Sequence, residues 1–384
     1  MWSTWLRADR PGRSFSPGGP EKAGYLAVAS RPPSRSKQSA CGDGRRRRLR
    51  GTSALTAALV FMLAAALASC GSTAAAPGRA NPRPTLTFHV IVKTTQKLDS
   101  IVWTGRQFLY VQNTANTVWS APPAGWPLHK FARMPRLVEE TRCILSPGSH
   151  GFSAGVIFCH SPDNKIYEIS PDGAKKTVFA SLPAPFPPAA DGALAFDSVG
   201  RFGYRLLAAT GRSGGLKPAG GVVYAIDALG HVQRVGSYAG PGGADELVIA
   251  PSRFGSVGGD ALLTVDAGPH GGAVVALDPS GGTRSIATFP LGPDPIAPIP
   301  KLPSSTGTTL GPVPGLYVDD DKTGDTYVAP AASFIRYAGD VIVGTESPRG
   351  LFWILKPRDE GFAELPLRDN LPAGTSLEQA VFVN

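Results

Sequence analysis

The sequence predicts an all-β fold, a six-bladed β-propeller, on three observations. A pattern of strand, Gly-containing turn and strand recurs five times between residues 117 and 367. Gly (46) and Pro (37) together exceed a fifth of the 384 residues. That argues against a helical bundle, because both residues are poor in helix interiors. Hydrophobic residues, at 42%, still suffice for a full-sized core.

The formal charge of +9 belongs to one end of the chain. Residues 1–69 hold 12 Lys/Arg against 3 Asp/Glu, while residues 70–384 hold 26 of each. The body has no basic bias, which argues against a nucleic-acid partner.

Residues 1–50 are rich in Ser, Pro, Gly and Arg without apolar periodicity, and read as a disordered basic leader or an over-long start. They end in Arg45, Arg46, Arg47, Arg48 and Arg50. Within residues 51–69 lies an uncharged apolar run of fifteen, 54–68. It is short for a membrane span of ~20 residues and suits a secretory h-region. The run closes on Leu67, Ala68, Ser69 and Cys70. This resembles the lipobox of bacterial lipoprotein signal peptides. The resemblance implies cleavage before Cys70, lipid on its thiol, and attachment to the extracytoplasmic face of the cell membrane. Residues 70–84 then have the small, Pro-containing composition of a tether.

The repeats begin with TVWSAPPAG and LHKFARM (117–134), then KIYEISPDG and KKTVFASL (165–182). VVYAIDALG with HVQRVGSY (222–238) and AVVALDPSG with GTRSIATF (273–289) follow. The last copy is LFWILKPRDEG with FAELPL (351–367). PDG and PSG are hairpin turn chemistry. Two further strands precede several copies, as in SIVWT/QFLYVQ (100–112) and SFIRY/DVIVGTE (333–346), giving four-stranded units. Trp119, Tyr167, Tyr224, Val275 and Trp353 mark equivalent positions, 48, 57, 51 and 78 residues apart, with 65 more through the ends of the 85–384 body. At ~50 residues per blade the body holds about six, with five or seven as alternatives. The final blade is expected to close by joining SLEQAVFVN to TLTFHVIVKT, which leaves no open sheet edge.

Cys143 begins one apolar run (CILS) and Cys159 ends the next (GVIFC), with Gly151 midway. In a hairpin they face each other, so the expectation is a cross-strand disulfide, with two buried thiols as the alternative.

An acidic residue stands at or just before the first strand of several blades. These are Asp99, Glu140, Asp191, Asp245 with Glu246, and Glu378. In a propeller the first strand lines the central channel, so these carboxylates are expected at one channel mouth. A carboxylate ring suits Ca²⁺ or another divalent cation, or a cationic or polyhydroxylated ligand. Short acidic turns before strands also occur for capping and solubility.

The blade pattern over residues 85–384 resembles propellers of the regucalcin/gluconolactonase and NHL-repeat kind. The first of these families holds a divalent metal with a Glu, two Asn and an Asp. LDSIVW resembles its first motif, with Asp99 where the family has Glu, and no Asn stands at the later places. The resemblance implies hydrolysis of sugar lactones or related esters as the alternative to a binding role.

Other motifs are weaker. DDDKTGD (319–325) spaces oxygen ligands like part of a Ca²⁺ loop but lacks a distal Glu, and also reads as a polar hairpin turn. GFSAG around Ser153 matches a nucleophile elbow, but the next segment reads as a strand where that motif needs a helix. The six histidines form no zinc motif. The sequence therefore predicts a lipid-anchored, extracytoplasmic propeller that binds a small-molecule or protein ligand and the membrane, through Cys70.

Overall fold

The computed structural model describes residues 83–384, except 114, 135–140, 184–191, 212–219, 241, 267–269, 302–311 and 347–349. The leader, the apolar run, Cys70, Glu140 and Asp191 lie outside the described residues. No helix among the described residues is long and apolar enough to cross a membrane.

Among the described residues, twenty-four strands form six four-stranded antiparallel sheets. A first strand, β1 (His89–Val92), precedes four regular blades. Blade 1 is β2 (Leu98–Trp103), β3 (Phe108–Gln112), β4 (Thr117–Ala121) and β5 (His129–Arg133). Blade 2 is β6 (Cys143–Leu145), β7 (Ile157–Ser161), β8 (Lys165–Ile169) and β9 (Lys176–Ser181). Blade 3 is β10 (Gly192–Phe196), β11 (Leu206–Gly211), β12 (Gly221–Ile226) and β13 (Val232–Tyr238). Blade 4 is β14 (Ala244–Ile249), β15 (Ala261–Asp266), β16 (Gly272–Leu277) and β17 (Thr283–Phe289). The fold is a six-bladed β-propeller, which removes the five- and seven-bladed alternatives.

The last two blades interlock. The chain lays β18 (Pro293–Pro298) as the inner strand of blade 5. It then leaves to build the hairpin β19 (Gly315–Asp320) and β20 (Thr326–Pro330) in blade 6. It returns through a 3-10 helix (Ala331–Tyr337) to complete blade 5 with β21 (Val341–Thr345), β22 (Phe352–Pro357) and β23 (Phe362–Pro366). β24 (Leu377–Val383) ends the chain as the inner strand of blade 6, whose order is β1-β20-β19-β24. The terminal strands thus occupy opposite edges of the closing blade, with the hairpin between them.

The SFIRY segment is not a strand: it falls in the 3-10 helix. The inner strand of blade 5 is PDPIAP, inside a Pro-rich stretch of the sequence at 290–314. Three prolines disqualify a segment as a central strand, because each lacks a ladder donor. An innermost strand pairs on one side only, with the other edge toward the channel, so it accommodates them.

The core is six layers, one between each pair of neighbouring blades. The period of two along each strand divides side chains between the two layers. In β11, Leu206 and Ala208 pack toward blade 2, while Leu207 and Ala209 pack toward blade 4. All four are fully buried. That is why the second and third strands read as continuous apolar runs.

Cys143 lies opposite Cys159 across the β6–β7 ladder, and the two are joined by a disulfide with a Cα–Cα distance of 4.1 Å. A closed loop of this sequence separation, 16 residues, contributes ~3 kcal/mol by restricting the unfolded chain.

Candidate functional site

Five of the inner strands carry a charged residue at one place, just ahead of their apolar residues. They are Asp99 in β2, Arg142 before β6, Asp245 in β14, Asp294 in β18 and Glu378 in β24. In four of these blades the ladder register shifts at this place. The shifts fall between Leu98 and Ser100, between Ala244 and Glu246, between Pro293 and Ile296, and opposite Val318–Asp320 at residues 377–380. A bulge re-aims the extra side chain out of the sheet, which brings these residues together at the channel axis.

Arg142 is their centre. It is 1% exposed and touches four other blades. Nε donates to the Asp245 carbonyl at 3.1 Å. Nη1 donates to the Asp99 carbonyl at 2.7 Å and to Asp99 Oδ1 at 2.6 Å. Nη2 donates to Glu378 Oε2 at 3.0 Å and to Asp294 Oδ1 and Oδ2 at 3.2 and 3.3 Å. A guanidinium has five N–H donors, and every one is engaged. No donor remains for a ligand unless a partner is given up.

A second polar layer lies one residue inward. Ser100 Oγ donates to Gln379 Oε1 at 2.7 Å and accepts the Cys143 N–H at 3.1 Å. The Ile101 N–H donates to the same Gln379 oxygen at 2.7 Å. Glu246 joins this layer and is 3% exposed. The disulfide follows Arg142 directly, and the Arg142 carbonyl accepts the His160 N–H at 2.9 Å. The guanidinium is therefore held from both its side chain and its backbone.

Buried acids outnumber the one guanidinium. Burial pushes the Asp294 and Glu378 carboxyls well above the usual range, although Arg142 opposes it. The two also hydrogen-bond each other, which requires a proton between them. Burial holds Asp319 well above its usual value too, and pushes Glu246 from 4.5 up to about 7. Burial opposes the charge on Arg142, but Asp294, Asp99 and Glu378 outweigh it and keep the guanidinium protonated. His160, packed where Gly192 has no side chain, is pushed by burial down to about 4 and is neutral.

Glu246 gives a pH signature. Below pH 4.5 folded and unfolded chains both hold its proton; as pH rises from 4.5 to 7 the unfolded chain gives the proton up first, and the fold loses about 3 kcal/mol. Glu246→Gln removes this loss. Urea unfolding is expected to show the variant gaining on the wild type by about 3 kcal/mol between pH 4 and pH 8. A pH-independent difference refutes the assignment.

Of the acids read from sequence, Asp99 and Glu378 bond Arg142 through their side chains, Asp245 through its carbonyl, and Glu246 faces it from the second layer. Arg142 and Asp294 were not among the sequence candidates. Aligning the inner strands finds both: Asp294 sits in the proline strand, and Arg142 occupies the blade 2 position two residues after Glu140.

The metal set implied by the lactonase resemblance does not fit these residues. Asp99 is committed to Arg142, and a guanidinium stands where another donor is needed. A different trio, Asp294, Glu346 and Glu378, has carboxylate oxygens within 4.8 Å of one another and could hold a cation. Two of its members already bond Arg142. The DDDKTGD segment is a hairpin turn: Asp320 accepts from the Lys322 N–H, the Thr323 hydroxyl and the Ser376 N–H. Asp319 accepts the Gln379 N–H. Ser153 lies in the β6–β7 connection, and strand β7 follows it.

Comparison with known proteins adds little. No family model matches the chain. No curated protein matches it either. Among solved structures, a chain in the crystal structure of a nidogen/laminin complex is 8% identical, with a TM-score of 0.46, over 74% of this chain and 84% of that one. A likeness at that score carries no argument, and the propeller assignment rests on the sheet topology.

Proposed function

We propose that the chain is an exported β-propeller, held at the extracytoplasmic face of a cell membrane by lipid on Cys70, that acts as a ligand- or protein-binding module. One observation carries the choice of binding over hydrolysis: the inner-strand acids are spent on a guanidinium whose donors are all engaged. A lactonase-like metal needs those same acids free. The export reading draws its support from the basic stretch, the apolar run and the Leu67–Cys70 sequence.

The second reading is a divalent-metal-dependent hydrolase of sugar lactones or related esters. The Asp294, Glu346 and Glu378 trio favours it. Calcium titration of the full-length protein, followed by thermal unfolding, separates the two. The binding-module reading expects no calcium-dependent shift. A shift of several degrees that Glu346→Gln abolishes establishes the metal reading instead. For the anchor, Cys70→Ala is expected to block processing or release the protein from membranes. Unchanged processing with unchanged membrane retention refutes lipidation.

A further inference from the structure

The channel beyond Arg142 holds a cavity of about 200 Å³. Every blade contributes to it through its inner strand: Ile101, Leu145, Leu194, Leu247, Ile296 and Val381. Its walls are apolar except for two side chains, Glu246 and Gln379. The Gln379 Oε1 is already occupied by Ser100 and Ile101. Glu246 accepts the Leu247 N–H at Oε1, 3.2 Å away, and is also supported by the Gln379 side chain, while no donor meets its buried Oε2 in hydrogen-bonding geometry. At the Arg142 end Asp99, Arg142, Asp294 and Glu378 are buried; at the other end Trp103, Leu145, Val248 and Val381 are half-buried. The cavity therefore opens on the face away from Arg142.

We propose that this cavity binds a compact apolar ammonium ligand, whose hydrocarbon body fills the channel and whose protonated amine meets Glu246. The proposal rests on the reading of the chain as a binding module and names the chemistry of its ligand. Two physical reasons select that chemistry. A dry cavity of ~150 Å³ accepts benzene, so this one fits a single ring with a short arm. A buried carboxylate oxygen without a partner is costly, and a charged N–H donor is its strongest complement. Glu246 is the one ionisable side chain among the lining residues, so an anion is disfavoured there.

The test is calorimetric titration of the full-length protein at pH 8, where Glu246 is ionised, with three probes of one shape. These are 2-phenylethylamine, 2-phenylethanol and phenylacetate. The amine is expected to bind at least tenfold more tightly than the alcohol, and the acid least. Glu246→Gln is expected to bring the amine down to the alcohol. Ala380→Phe, which places a ring in the channel, is expected to abolish binding of both. Equal binding of the three probes, no binding of any at millimolar concentration, or an amine preference that survives Glu246→Gln overturns the proposal. The wild-type probe series decides even if a variant fails to fold. Membrane release of Cys70→Ala and calcium binding are read in separate experiments, so failure of the export or hydrolase readings is distinguishable from failure here.

Discussion

Arg142→Leu is expected to destabilise the propeller by about 3–5 kcal/mol, because removing one partner strands buried charges. Asp99, Asp294 and Glu378 would lose the cation that each bonds at 3.2 Å or less. Stabilities of whole domains are about 5–15 kcal/mol, so this one residue carries a large share. Arg142→Lys is expected to rescue little. A lysine has three donors on one nitrogen, whereas the five N–H donors engaged here leave three nitrogens in different directions. The informative control combines Arg142→Leu with Asp99→Asn, Asp294→Asn and Glu378→Gln. Neutralising the whole cluster removes the stranded charge, and most of the lost stability is expected to return. Urea unfolding measures each step. A single Arg142→Leu variant within 1 kcal/mol of wild type, an order-of-magnitude threshold set against that range, refutes the account.

Much of the fold was legible because period-two patterning and hairpin turns are local. Trp119, Tyr167, Tyr224, Val275 and Trp353 all fall on third strands, β4, β8, β12, β16 and β22. What escaped was set by long-range position. PDPIAP is unrecognisable as a strand until it is known to have an open edge, and SFIRY imitates a strand that tertiary context turns into a 3-10 helix. DDDKTGD (319–325) was readable as a hairpin turn, but nothing local says that its two strands serve the next blade. At the site, Asp99 and Glu378 stand out in the sequence as acids ahead of inner strands, whereas the arginine between them does not. Arg142 differs in charge from its counterparts, and only alignment of the inner strands shows that it shares their position.

The interlocked closure makes the end of the chain decisive. Blade 6 is assembled from three distant segments: β1, the β19–β20 hairpin and β24. β24 pairs with β19 and lies beside both β18 and β2, so it completes the ring of inner strands. It brings the fully buried Leu377 and Val383, each contributing ~1.5–3 kcal/mol. It also carries Glu378, which bonds Arg142, and Gln379, which bonds Ser100 and Ile101 in blade 1. Deleting residues 377–384 therefore removes a strand, two core side chains and part of the central cluster together. The combined loss is comparable with the whole stability of a domain. The truncated chain is expected to lose cooperative thermal unfolding and to become protease-sensitive throughout, while removal of the exposed Asn384 alone changes nothing. Because β24 binds largely as an added strand, a synthetic peptide of residues 376–384 is expected to restore cooperative unfolding to the truncated chain. A truncated chain that melts cooperatively near the wild-type temperature without the peptide shows that five blades and an open edge suffice, and that β24 does not close the ring.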